Sequence, residues 1–358
     1  PAGDAGEPSL VQDQVREDPR ARIFAHLSLR AGDPPPVLPV APSLRSDRRL
    51  LGSRSGAPAP LRDRKTAFRG KQEISTMANL TKAQRKAHAA AEALLTKERL
   101  TEDERDFVFQ NWHEGANHIN GAAGAFFTPW GLAGDFALDA QCQGDKVIDL
   151  CAGIGVLSYF VHCRSRWGGN MPEITCVENN PRYVEVGRKL LPEARWINAN
   201  VFDWRDWWFR GLEGEMFDLA IANPPFGKVK RQRCGPRYQG AEFEYHVIDI
   251  ASEIADQGTF IVPQQSAPFR YSGAQYFERR QSGRGVDFEE MTGLQMEIGA
   301  GVDTSIHKDD WKDTSIVCEI VCIEFAELRE RKAFERERIA SAPMPATPVR
   351  PAEQLALL

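Results

Sequence analysis

Residues 146–158 read KVIDLCAGIGVLS, and the pattern continues through YFVHCRS to residue 165. KVIDL is a short β-branched run of the kind found inside a sheet covered on both faces. Its strand ends at Asp149, Gly153 and Gly155 break it, and VLSYFVHCRS follows with helical spacing. Glycines at such a turn let a ligand approach the backbone at the C-terminal edge of a parallel sheet. The complete G-x-G-x-x-G spacing is absent, because position 158 is Ser and Cys151 occupies the earlier glycine place. Taken alone, the turn also fits a plain connection between two elements.

Working outward, strands and helices alternate. EITCVEN leads to PRYVEVGRKLL, then come RWINANV, FDLAIAN, the helix EFEYHVIDIASEIA and the strand GTFIVP. That order predicts an α/β fold with a mostly parallel sheet and helices on both faces. The late run TSIVCEIVCIEF, residues 314–325, suits an antiparallel closing strand. Upstream, residues 77–117 read as helices, with Thr101 and Glu104 spaced as a capping box. Residues 1–76, rich in Pro, Arg, Gly and Ala, are expected to be a disordered or non-native extension. The first methionine is Met77, where natural translation is expected to start; a targeting or docking tail is the other reading. Residues 327–358 read as a charged helix and a Pro-rich tail.

Composition narrows the function. At 42% hydrophobic the chain can build a core, yet no apolar run approaches the length of a membrane helix. The seven cysteines are scattered without a CxxC pair, so neither a disulfide framework nor a zinc site is expected, and a reducing cytoplasm is. Cys318 and Cys322 share a strand face and are expected to pack. His113, His118 and His246 form no metal set. Net charge is −5; residues 1–76 hold 13 Lys+Arg and 9 Asp+Glu, so the remainder carries −5 − 4 = −9. Any nucleic-acid contact must then come from a local patch.

Three further strand ends carry candidate chemistry. Glu178 closes EITCVE at the distance where an acidic residue binds ribose hydroxyls. Asn200 closes the third strand and could hydrogen-bond an adenine edge, with Val201 and Phe202 at its face and Asp203 as a rival. The fourth strand stops at Asn223-Pro224-Pro225-Phe226. The prolines restrict the backbone so that the Asn223 side-chain oxygen and the Pro224 carbonyl can converge on one amino group, beside a flat Phe226 ring. Lys228, Lys230, Arg231, Arg233 and Arg237 follow at once, either as phosphate contacts or as a solvated loop. The cluster WRDWWFR, 204–210, reads as packing or as base stacking.

This set resembles the class I S-adenosylmethionine-dependent methyltransferases that modify exocyclic amino groups. DLCAGIG resembles their cofactor turn, NPPF their catalytic motif, and AFFTP at 125–129 the F-x-T-P segment of N6-adenine DNA methyltransferases with the gamma motif order. The resemblance, over roughly residues 118–326, implies a Rossmann-like seven-stranded sheet. It also implies that S-adenosylmethionine is held by Phe127, Thr128, Pro129, Asp149, Ala152, Gly153, Gly155, Glu178, Asn179, Asn200 and Val201. Thr128 and Pro129 would lie over the cofactor. Asn223, Pro224, Pro225 and Phe226 would act on the target, with no classical base, and no metal is implied. Adenine N6 in DNA is the first expectation. Adenine or guanine-N2 methylation of ribosomal RNA, glutamine methylation of protein and a catalytically silent binding module are the alternatives. No large target-recognition region follows residue 240, so sequence specificity is expected from the basic loop, the N-terminal helices, the region 264–300 or a partner subunit.

Overall fold

The KVIDL run forms β1 (Lys146–Leu150), the centre of the sheet. The computed structural model describes residues 80–113, 126–140, 144–168, 171–231, 233–312 and 314–341, all within the unit Lys71–Leu358. The extension 1–76, the Pro-rich tail, His118 and Ala125 lie outside the described residues. Two helices lead in, α1 (Lys82–Leu95) and α2 (Glu102–Asn111), each opened by a complete capping box, including the Thr101–Glu104 pair read from the sequence. Then follow α3 (Trp130–Asp139), β1, α4 (Val156–Gly168), β2 (Glu173–Glu178), α5 (Pro181–Leu190), β3 (Arg195–Asn198), β4 (Phe217–Ala222), α6 (Phe243–Ile254) and β5 (Ala255–Pro263). The chain continues through β6 (Phe269–Arg270), β7 (Glu278–Arg279), α7 (Arg284–Thr292), β8 (Glu297–Ile298), β9 (Cys318–Glu324) and α8 (Phe325–Ser341).

The seven-stranded order is β3-β2-β1-β4-β5-β9-β8, parallel from β3 to β5, with β9 antiparallel to both β5 and β8. This is the expected mostly parallel, Rossmann-like sheet. The order turns back at β1, the point where open α/β sheets bind ligands. Alternate residues feed two cores. Ile148, Leu150, Ala220, Ala222, Phe260 and Val262 pack with α6, whereas Val147, Leu219, Ile221 and Ile261 pack with α1 to α5.

Two strands are shorter than expected, each for a local reason. The third ends at Asn198, because the Asn200 side-chain oxygen accepts the Phe202 N–H at 3.0 Å and turns the chain into a 3-10 segment, Val201–Asp203. The last strand begins only at Cys318, because Ile316 donates its N–H to the Lys308 carbonyl and the Val317 carbonyl accepts from Gln264. Cys318 packs in the core, and the Cys322 sulfur lies 3.9 Å from the Thr259 hydroxyl. The tryptophan cluster is packing: Trp204, Trp207 and Trp208 are buried beside α6, although Phe209 is exposed.

Trp196 on β3 fills the space that two glycines leave open. A Cβ on Gly155 would stand 2.9 Å from its ring, and one on Gly187 closer still. Its indole N–H donates to the Leu191 carbonyl at 3.1 Å. Trp196→Ala is expected to lower stability by about 3–5 kcal/mol in urea melts, because the cavity opens beneath both helices that leave the sheet edge.

Candidate active site

The first wall of the site is the glycine turn after β1. Cys151, Gly153 and Gly155 have φ of 63°, 60° and 90°, so the chain reverses sharply out of the strand. Ala152 ties the turn to β2 through its N–H to the Val177 carbonyl. Glu178, at the end of β2, accepts the Gly153 N–H at 2.9 Å and the Asn180 N–H at 2.7 Å, while burial raises its carboxyl pKa. A Cβ on Gly153 would lie 3.2 Å from the Phe127 ring, which stacks on Trp112 and meets Tyr183 edge-on. Asp149 lies beneath. Its Oδ2 accepts the Ser158 hydroxyl at 2.7 Å, its buried Oδ1 has no partner, and burial pushes its pKa up to about 7.

The second wall is the end of β4. The Asn223 Nδ2 donates to the Phe126 carbonyl at 3.1 Å and to Thr128 Oγ1 at 2.9 Å, while its Oδ1 is buried without a partner. Pro224 is buried; Phe226 is half-buried, its ring 6.0 Å from Trp311 in an edge contact. Gly227, with φ of 75°, turns the chain and donates its N–H to Glu244 at 2.7 Å.

Behind that turn, the basic loop is folded onto polar residues of α6 that sequence reasoning did not single out. Glu244 also accepts the Ser266 hydroxyl, and burial raises its pKa. His246 Nδ1 accepts the Gly235 N–H at 2.9 Å, so its Nε2–H donates to the Gly240 carbonyl at 3.1 Å. Asp249 accepts the backbone N–H groups of Arg237 and Tyr238. The available signal was five polar side chains, Glu244, His246, Asp249, Ser252 and Glu253, in a helix that is otherwise apolar or aromatic.

Between the walls lies a cleft of about 550 Å³. It brings together Phe127, Gly153, Glu178, Asn179, Asn200, Val201, Asn223, Pro225, Lys230, Arg231 and Arg233. Cys151, Asn180, Tyr183, Val229 and Phe243 also line it. Thr128, Pro129, Asp149, Ala152, Gly155, Pro224, Phe226 and Lys228 stand behind or beside it. The Arg237 guanidinium is held by Asp249 at 2.8 Å and Glu253 at 3.0 Å, and Arg237 does not line the cleft. Arg231 spends its guanidinium on the Gly240 and Ala241 carbonyls. Arg233 pairs with Asp203 at 2.7 Å, leaving Lys228 and Lys230 as exposed cations of the patch. Among the described residues, no His/Cys/Asp/Glu group could hold a metal, and no helix is long and apolar enough to cross a membrane.

The family described as Methyltransferase small domain matches residues 136–235, which hold the glycine turn, Glu178, Asn200 and Asn223. Over that stretch, under a third of the chain, the sequence is similar to a methyltransferase family. No match was found among curated protein sequences. Among solved structures, the methyltransferase subunit of a type I restriction-modification system from Streptococcus thermophilus is 15% identical, with TM-score 0.44, 62% of this chain and 49% of that one covered. The modification subunit of a candidate type I restriction enzyme from Vibrio vulnificus is 15% identical, with TM-score 0.42 and coverage of 63% and 50%. A candidate RNA methyltransferase from Pyrococcus horikoshii is 16% identical, with TM-score 0.39 and coverage of 67% and 97%. The chain thus spans about half the length of the two restriction-modification subunits. At these TM-scores the fold rests on the strand order and register of the chain itself.

His246 gives this site a pH signature. Burial, and then the nearby Arg231, lower its pKa from 6.5 to about 4. Between those values the unfolded chain binds a proton at this position that the folded chain does not, so the His246 contribution is full above about pH 6.5 and is lost toward pH 4. The stability difference between wild type and His246→Gln should therefore shrink as urea melts are moved from about pH 7 to about pH 4.5.

Proposed function

We propose that this domain transfers a methyl group to an exocyclic amino group of nucleic acid, with adenine N6 in DNA as the first substrate. One observation carries the reading. Asn223 has its amide nitrogen bonded twice and its amide oxygen buried, unpartnered, at the end of β4. That is an acceptor held ready for an N–H donor.

The residues fit S-adenosylmethionine on their own chemistry. The cleft volume lies within the range of small-molecule sites, and Gly153 leaves room for a close approach that a Cβ would fill. Glu178 retains acceptor capacity beyond its two backbone bonds, which suits ribose hydroxyls. Asn200 is preferred to Asp203 for the adenine edge, because Asp203 is paired with Arg233. The cofactor would supply a methyl group on a positively charged sulfur.

The chain's own part is to prepare the amine. Asn223 Oδ1 and the Pro224 carbonyl would accept its two N–H groups and draw the nitrogen lone pair out of conjugation with the ring. Phe226, braced by Trp311, would offer a flat face to a base flipped out of its stack at a cost of a few kcal/mol. Positioning then does most of the work. The Phe126–Pro129 segment supports DNA, whereas Gly227 directly after the tetrad supports the ribosomal-RNA reading, since small ribosomal-RNA adenine methyltransferases share NPPFG. A specificity partner remains part of the proposal.

Transfer of label from S-adenosylmethionine to duplex DNA, ribosomal RNA and protein, run in parallel, tests the assignment. DNA labelling supports the first choice, and labelling of RNA alone overturns it. Asn223→Ala should abolish transfer while cofactor affinity, measured by calorimetry, stays near wild type; an active variant contradicts the proposal. Replacing Lys228 and Lys230 by Ala should reduce the slope of log affinity against log salt by about 2, as loss of two phosphate contacts requires.

A further inference from the structure

We propose that Thr128 is a positioning residue that, together with the Phe126 carbonyl, holds the Asn223 amide with its oxygen toward the target amino group. The inference rests on the methyl-transfer reading above. An asparagine amide has the same shape in either orientation, but its ends are chemical opposites. Turned over, it would present an NH₂ to an NH₂, donor against donor, and could not draw out the lone pair. An asparagine with this task therefore needs its orientation fixed from behind.

Two groups from a distant part of the sequence do so. The Phe126 carbonyl can only accept, so the amide nitrogen must face it, at 3.1 Å. Thr128 Oγ1 takes the second amide proton at 2.9 Å. With both protons bound, the oxygen is the end left over, and it is buried without a partner. Thr128 is itself well placed to hold still. It is buried, and it precedes Pro129, which caps α3 and whose carbonyl accepts the Ala133 N–H at 2.9 Å. A residue before proline has a restricted backbone, so the hydroxyl position follows from the way α3 is entered. Helix α3 is in turn tied to the 3-10 segment Thr304–His307, where Asp135 meets His307 Nε2 at 2.8 Å. Thr128 does not line the cleft. Its role runs through Asn223, in place of the position over the cofactor that the resemblance implies.

The experiment compares Thr128→Val, isosteric but without the hydroxyl, with Thr128→Ser, which keeps it, in the full chain and on the nucleic acid labelled above. Loss of one buried hydrogen bond should lower kcat about tenfold in Thr128→Val. KM for nucleic acid and the calorimetric Kd for S-adenosylmethionine should stay within about twofold, and Thr128→Ser should restore kcat. A wild-type kcat in Thr128→Val overturns the proposal. So does an equal loss in both variants, or a cofactor Kd that weakens in step with kcat. A second readout needs neither a variant's activity nor an identified substrate. The Asn223 side-chain NH₂ signals in a ¹⁵N correlation spectrum, assigned by their loss in Asn223→Ala, should exchange slowly with solvent in the wild type, and rapid exchange overturns the clamp. Activity in Asn223→Ala would defeat the catalytic role of Asn223 and the positioning role with it, whereas an inactive Asn223→Ala beside a fully active Thr128→Val would defeat only the positioning role.

Discussion

The site depends on how backbone groups are satisfied where parallel strands stop. Beyond its last ladder bond each strand leaves polar groups that burial makes costly unless they find partners. At this edge side chains take them up: Glu178 for Gly153 and Asn180, Asn200 for Phe202, and Glu244 for Gly227. Among the described residues, the buried side-chain oxygens left without a partner are Asp149 Oδ1 and Asn223 Oδ1. Both lie at strand ends on either side of the β1/β4 reversal, where the register pairs Asp149 with Ile221.

The same logic explains the loop after the tetrad. A basic, glycine-containing segment would ordinarily be loose, yet α6 places acceptors beneath it at Glu244, His246 and Asp249. Burying those groups is tolerable only because each is bonded to the loop, which couples the order of the loop to the packing of the helix. Its cations divide accordingly: Arg231 and Arg237 serve the fold, Arg233 answers Asp203, and Lys228 and Lys230 remain exposed. A local patch of this kind fits a domain whose overall charge is negative.

The sheet was legible because its strands are apolar on both faces and are punctuated by glycine, asparagine and proline. The Thr101 capping box was equally legible, since its two bonds span three residues. The end of β3 was misjudged, because RWINANV stays strand-like in composition while the Asn200 side chain diverts the backbone. The ion pairs of Arg237 with Asp249 and Glu253 were not legible, because those partners lie on a helix whose facing surface no local pattern reveals. The bond between Thr128 and Asn223 was beyond sequence reasoning for the same reason, spanning 95 positions. Periodicity and turn chemistry report on neighbours; they are silent about which distant hydroxyl meets which amide.

In the proposed reaction the Asn223 oxygen selects an exocyclic amine. Enzymatic digestion of the methylated nucleic acid to nucleosides, followed by mass spectrometry against synthetic standards, tests it most directly. The expected product carries its methyl group on an exocyclic nitrogen, with N6-methyladenine as the first expectation. Methyl groups found on a ring carbon, a ring nitrogen or a ribose oxygen would contradict it.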